Sequence, residues 1–238
     1  MTSASLQHVT IAIDDVQRVS GLLVLPPMAR ACYVVGHGAG AGMNHAFMRA
    51  VAEGLAERGV ATLRYQFPYM ERGSKRPDVA RVAHATVRAA VGEMRRLAPN
   101  LTLIAGGKSF GGRMTSQAHA TCPLPGVRGI AFLGFPLHAT GRPSEDRAQH
   151  LFDVRIPMLF LQGSRDPMAD LQVLQVLVTK LGRLATLKVL VDADHSFHVP
   201  PRLGRHDADV RAEMLDVLTG WLEDVLTSHD VPRERGFR

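Results

Sequence analysis

The stretch Gly106-Gly107-Lys108-Ser109-Phe110-Gly111-Gly112 carries the pattern G-x-S-x-G, directly after an apolar run at 101–105 and directly before a helix-like stretch. That placement predicts a serine at the tip of a sharp strand-to-helix turn. Such a turn strains the backbone, and glycines two residues to either side leave room for strand and helix to pack closely. The Ser109 hydroxyl then points outward at the positive end of a helix. A serine is a weak nucleophile unless a base takes its proton and a third group orients the base. Both partners follow downstream. Residues 156–162 read as a buried strand ending in Gly163-Ser164-Arg165-Asp166-Pro167, which places Asp166 in the loop at the strand's carboxyl end. Residues 186–191 read as another strand and run into Asp192-Ala193-Asp194-His195-Ser196-Phe197, which makes His195 the base. The chemistry predicted is attack of Ser109 on a carbonyl carbon, with the oxyanion held by two backbone N–H groups. Phe110 supplies one. Ala39 supplies the other, from the loop His37-Gly38-Ala39-Gly40-Ala41-Gly42, whose glycines let the backbone turn its amides toward a substrate. A phosphate cradle fits this loop poorly, because Gly38 to Gly42 lack the G-x-G-x-x-G spacing and no G-K-[ST] follows at Walker spacing.

Neighbouring residues compete for these roles. His198 stands three residues after His195 but leads into Val199-Pro200-Pro201. Asp170 suits the start of the following helix, where an acidic side chain caps amides. Asp192 and Asp194 are too close to His195 in sequence to orient it from across the site. Lys108 reads as a surface cation beside the site, with attraction of an acidic substrate as the alternative. His37 is expected to shape its loop through a hydrogen bond rather than to titrate. Phe67, Tyr69, Met70, Phe135, Met168 and Phe197 fall just beyond predicted strand ends, where an α/β sheet binds ligands, and are expected to form an apolar acyl pocket.

Short apolar runs alternate with amphipathic ones along the chain, the signature of a mostly parallel sheet covered on both faces. An opening hairpin is predicted at 9–13 and 19–25, with further strands at 31–35, 61–65, 101–105, 129–133, 158–162 and 186–191. Helical periodicity covers 45–58, 78–97, 111–121, 169–180 and 208–227. The fold class is therefore α/β with about eight strands, in a single domain over residues 1–238. The segment 136–155 is short and polar, with Arg142, Glu145, Asp146 and Arg147 expected in water, which leaves no room for a large lid domain.

The order Ser, Asp, His, each just past a strand, is that of the α/β-hydrolase superfamily, which the chain resembles from about Val24 to Leu226. More narrowly, H-G-A-G-A-G-M-N-H at His37 to His45, Q-F-P-Y-M at Gln66 to Met70, G-G-K-S-F-G-G-R-M at Gly106 to Met114, F-L-G-F-P-L-H at Phe132 to His138 and L-F-L-Q-G-S-R-D at Leu159 to Asp166 resemble a small dienelactone-hydrolase-like branch. These segments are similar to the group that holds the testis-expressed hydrolase-like proteins and a subunit of a chromatin acetyltransferase complex. The resemblance implies hydrolysis of esters and related acyl compounds, favours His195 over His198 as the base, and implies for the chromatin relatives a role as complex subunits. True dienelactone hydrolases carry a cysteine where Ser109 stands, so the resemblance does not extend to that substrate. The reading is a serine hydrolase of small short-chain carboxylic esters; the alternative is a hydrolase fold kept as a binding or scaffolding module.

Composition fits a compact enzyme, with 46% hydrophobic residues in 238. The formal charge of +6 concerns solubility more than specific function. Arg72, Lys75, Arg76, Arg81 and Arg88 are spread along a loop and helix, Arg95 and Arg96 fall at a helix end, and no aromatic residues interleave with them to stack bases. With the tail Arg233-Glu234-Arg235-Gly236-Phe237-Arg238 they read as a solvated surface, and no nucleic-acid partner is expected. Cys32 and Cys122 stand apart with no metal-ligand spacing and are expected to be buried or partly buried thiols. No metal or cofactor is called for, the partner expected is a small ester, and oligomeric state is not encoded legibly. The first residues lack a basic and then apolar leader pattern, and no apolar run approaches 18 residues, so a cytoplasmic location with no membrane partner is expected.

Overall fold

Apolar runs bounded by turn residues become strands: β1 (Ser5–Ala12), β2 (Arg18–Leu25), β3 (Ala31–Gly36), β4 (Val60–Tyr65), β5 (Thr102–Lys108), β6 (Val127–Leu133), β7 (Met158–Gly163) and β8 (Ala185–Leu190). Between them lie α1 (Ala46–Glu57), α2 (Pro68–Glu71), α3 (Ala80–Leu97), α4 (Phe110–Thr121) and α5 (Leu171–Leu181), and α6 (Asp207–Thr227) follows β8. The computed structural model describes residues 4–227, so the basic tail at 233–238 lies outside the described residues. The strands form one sheet in the order β1-β2-β4-β3-β5-β6-β7-β8, with β1, β2 and β4 paired antiparallel and the remaining pairs parallel.

Alternation along the strands sorts the core into layers. Tyr33 and Val35 face the side covered by α1 and α6, where Met48, Leu55, Met214 and Trp221 pack. Cys32 and Val34 face the side covered by α3 and α4, where Val87, Met94 and Met114 pack. On that side α5 adds Leu174 and Leu177 over Phe132 and Phe160. Strands β3, β4 and β7 are buried at every position, as parallel strands between two helical layers must be, whereas β1 is mostly exposed at the sheet edge. Helix ends follow the same economy of polar groups. The Arg88 guanidinium donates to the carbonyls of Ala118 (2.5 Å) and Cys122 (2.9 Å), closing the carboxyl end of α4, so this arginine is structural rather than a loose surface charge.

Three expectations need correction. The connection between β6 and β7 is not simply polar loop: a 3-10 helix at Asp146–Asp153 buries Ala148 and Leu151, and the His150 ring bonds Ser116 Oγ of α4 at 2.7 Å. Glu145 just before it is half-buried and holds Lys180 at 3.0 Å, and Arg147 within it is also partly buried, because the apolar stripe of Ala148 and Leu151, too short to show a period, draws the segment onto the surface it covers. Cys32 is buried, but Cys122 is exposed, since α4 ends just before it. Among the described residues no helix is long and apolar enough to cross a membrane.

Candidate active site

Ser109 sits between β5 and α4 with φ 49° and ψ −111°, a conformation that costs a non-glycine residue about 1–3 kcal/mol and persists only where its surroundings over-determine it. They do so here through one carbonyl. A Cβ on Gly107 or on Gly111 would come within 2.3 Å of the Gly36 oxygen at the end of β3, so only glycine on both sides of the serine lets β5, β3 and α4 approach. Below the turn, Thr115 Oγ1 donates to Gly111 O at 2.8 Å. Ser109 occupies the N-cap of α4 yet makes no capping bond with its side chain. A serine at that position ordinarily satisfies a helix amide; here the turn aims the hydroxyl elsewhere.

It is aimed at His195, whose Nε2 lies 2.9 Å from Ser109 Oγ, while His195 Nδ1 lies 2.6 Å from Asp166 Oδ2. A carboxylate on Nδ1 fixes the proton there and leaves the Nε2 lone pair free to accept from the hydroxyl. The Asp166 carboxyl is fully buried and surrounded by donors. Besides the imidazole it accepts from Gln162 Nε2 (2.5 Å) and from the Met168 N–H (2.8 Å). Gln162 cannot turn its amide over, because its Oε1 accepts from the Phe135 N–H at 2.9 Å. The sequence reading missed Gln162, although a polar residue closing the buried run of β7 was a usable signal. The histidine loop is shaped by Asp194, whose Oδ1 accepts from the N–H groups of Ser196 (2.7 Å) and His198 (2.9 Å).

The competing residues lie elsewhere. The His198 Nδ1 faces the Asp207 carboxylate at 3.0 Å on the surface, and that bond raises its proton affinity. Asp170 caps α5 by accepting from the Val173 N–H at 3.0 Å. His37 is buried between Gly38 O, 2.8 Å from its Nδ1, and the Phe67 N–H, which donates to its Nε2 at 3.1 Å. Those partners demand the neutral ring protonated on Nδ1, and burial pushes its pKa down to about 4. His37 thus pins the Gly38–Gly42 loop to the end of β4. Among the described residues neither the Ala39 nor the Phe110 N–H has a protein acceptor. Lys108 is not the surface cation expected: its ammonium turns inward and donates to the His195 carbonyl.

A cavity of about 320 Å³ opens on Ser109 and His195. The glycine-rich loop forms one wall through Gly38, Ala39 and Ala41, and the start of α1 forms another through Phe47 and Met48. Of the six apolar residues expected here, only Met168 lines it. Phe67 and Tyr69 are fully buried beneath the loop, with Phe67 edge-on to Phe110 at 5.2 Å and the Tyr69 hydroxyl accepting from the Gly40 N–H at 3.1 Å. Met70 backs Gly42. Phe135 joins the core with Phe132 and Phe160, and Phe197 is buried against Phe47. Position just past a strand end gives proximity but not direction, and most apolar side chains there seal the core under the site. A larger groove of about 660 Å³ lies between β2 and α1, but it holds none of Ser109, His195 and Asp166, so size does not select the site. Among the described residues no group of three His, Cys, Asp or Glu side chains is placed to hold a metal ion.

A family model for the alpha/beta hydrolase domain matches residues 29–223. The chain belongs to the alpha/beta hydrolase family. Its fold is similar to that of a dienelactone hydrolase from Anabaena variabilis, with a TM-score of 0.75 at 20% identity over 94% of this chain and 99% of that one. It is also similar to an a/b serine hydrolase without lid from Xanthomonas campestris, at 0.70 and 22% over 93% and 96%. An esterase domain from Rhodothermus marinus gives 0.69 and 18% over 91% and 97%. At such identities these likenesses establish the hydrolase's fold alone.

Proposed function

We propose that this hydrolase cleaves small carboxylic esters through an acyl-enzyme. Ser109 Oγ attacks the carbonyl carbon as its proton passes to His195 Nε2, and the imidazolium returns that proton to the departing alcohol. The N–H groups of Ala39 and Phe110 hold the oxyanion. Water, deprotonated by the same imidazole, then releases the acid. The reading is carried by the unbroken hydrogen-bond chain from Ser109 through His195 to the buried Asp166 carboxyl. Its test is a fluorophosphonate probe, which reports nucleophile activation without knowledge of the substrate. Labelling within minutes at Ser109, absent from Ser109→Ala and from heat-denatured protein, is the expected result. A well-folded sample that takes no label and leaves acetyl and butyryl esters untouched leaves the binding-module reading, to which the chromatin-complex resemblance lends support.

Acyl length follows from the cavity. A volume of about 320 Å³ is at the low end for ligand sites. Each methylene contributes about 0.8 kcal/mol only while apolar wall remains to bury it. Turnover of p-nitrophenyl esters should therefore peak at acyl chains of about two to six carbons. Rates still climbing at decanoate would mean that the acyl chain lies somewhere other than this cavity.

A further inference from the structure

Lys108 has no part in the steps above, yet it is held inside the site. Its Nζ lies 2.5 Å from the carbonyl oxygen of His195 and 5.3 Å from the centre of the Phe197 ring. Room for the ammonium exists because position 134 is glycine: a Cβ there would lie 3.0 Å from Lys108 Nζ and 3.6 Å from His195 Cε1. The loop that bears His195 follows β8, the last strand of the sheet. Asp194 braces it from within, and Ala193 O and the Asp192 N–H tie its start to the Arg165 N–H and Ser164 Oγ of the loop after β7, but at His195 itself Lys108 supplies the side-chain bond to the main chain. The lysine is thus a direct tie from the residue before the nucleophile to the main chain of the base. We infer that Lys108 is a positioning residue of the hydrolase, its ammonium fixing the His195 backbone so that Nε2 stays within reach of Ser109 Oγ. This inference rests on the ester-hydrolase reading.

The charged groups that face Lys108 are the carboxylates of Asp166, in the loop after β7, and Asp194, in the loop after β8; both favour its charged form. The uncharged neighbours are the His195 carbonyl and the Phe197 ring. Burial outweighs the carboxylates and brings the ammonium down to about 8. Below that value the lysine is charged, and its bond to the carbonyl is charge-assisted. Above it the neutral amine donates weakly and loses its attraction to both carboxylates. The tie is therefore strongest at neutral pH and weakens as pH rises through about 8.

Three proteins test this: wild type, Lys108→Met, which keeps length and loses charge, and Lys108→Arg, which stays charged at every pH used. With a p-nitrophenyl ester, Lys108→Met should lose about 10- to 100-fold in kcat with KM nearly unchanged, the scale of a misplaced catalytic group. The wild-type kcat/KM profile should fall above pH about 8. That alkaline limb should vanish in Lys108→Met, and Lys108→Arg should recover part of kcat and hold its plateau to higher pH. The chain has only four lysines, Lys75, Lys108, Lys180 and Lys188, so the Cε signal of Lys108 can be followed by NMR in ¹³C-lysine protein. Its midpoint should coincide with the alkaline limb. Wild-type kcat in Lys108→Met overturns the inference, as does an alkaline limb that survives the substitution. If both variants unfold, the wild-type NMR midpoint decides: one well separated from the alkaline limb also overturns it. A wild type inert to both ester and fluorophosphonate defeats the hydrolase reading instead, which keeps the two failures apart.

Discussion

Ser109→Ala is expected to lower p-nitrophenyl acetate and butyrate turnover by roughly 10³-fold or more while leaving thermal unfolding unchanged. The hydroxyl makes no capping bond to α4, so its loss removes a reacting atom and no structural one. What remains is oxyanion stabilisation and binding, which by themselves sustain only a small residual rate. Asp166→Asn should act on the same chain, losing on the order of 10³–10⁴ in kcat. The His195, Gln162 and Met168 donors all point at the carboxyl, and an amide NH₂ turned either way would meet one of them head-on. The Met168 N–H belongs to the main chain and cannot turn, so the NH₂ takes the Oδ2 side, where the imidazole must give up the tautomer that leaves Nε2 free. Activity in Ser109→Ala equal to wild type would end the acyl-enzyme mechanism.

Gly111→Ala should be among the most damaging single substitutions in the hydrolase. Its added methyl would come within 2.3 Å of Gly36 O and 2.4 Å of Gly36 C, main-chain atoms of β3 that cannot swing aside. Overpacking of this kind costs about 3 kcal/mol or more. For a domain of this size that lowers Tm by roughly 6–12 °C. Gly92→Ala supplies the contrast. It lies within α3 with nothing inside 4 Å of the added carbon, so the change should stabilise by about 0.5–1 kcal/mol. Differential scanning calorimetry of the two variants decides the matter: a wild-type Tm in Gly111→Ala would mean that β3 and the serine turn are not held in this contact.

Much of the fold was legible because each strand is an apolar run cut off by turn residues. The end of β5 was not: the strand was expected at 101–105, but it continues to Lys108, since Gly106 and Gly107 pair with Ala131 and Phe132 despite glycine's low strand propensity. Helix α2 and the 3-10 turn at Asp146–Asp153 escaped notice because so few residues cannot display a helical period. That Ser109, Asp166 and His195 come together in one hydrogen-bond chain was legible because each stands just past a strand end, where a residue's place in the chain fixes its place in the sheet. The cavity wall was not found, because it depends on where side chains point. Phe47 and Met48 face the site from the start of α1, while Phe67 and Phe135, equally close in sequence to strand ends, turn into the core. The Lys108 tie joins residues 87 positions apart and leaves no mark in any local pattern.

The crowding around Ser109 also limits where this enzyme can be retuned. Gly107 and Gly111 are fixed by the Gly36 carbonyl, and Phe110 is wedged edge-on against Phe67 and Tyr69. Within these five residues Ser109 is fixed by its own chemistry, and Lys108 alone is held neither by packing nor as the reacting atom. Saturation mutagenesis of the turn would thus behave as a library with one open position. Whatever variety of rate or pH response such a screen recovers would enter through the side chain at 108.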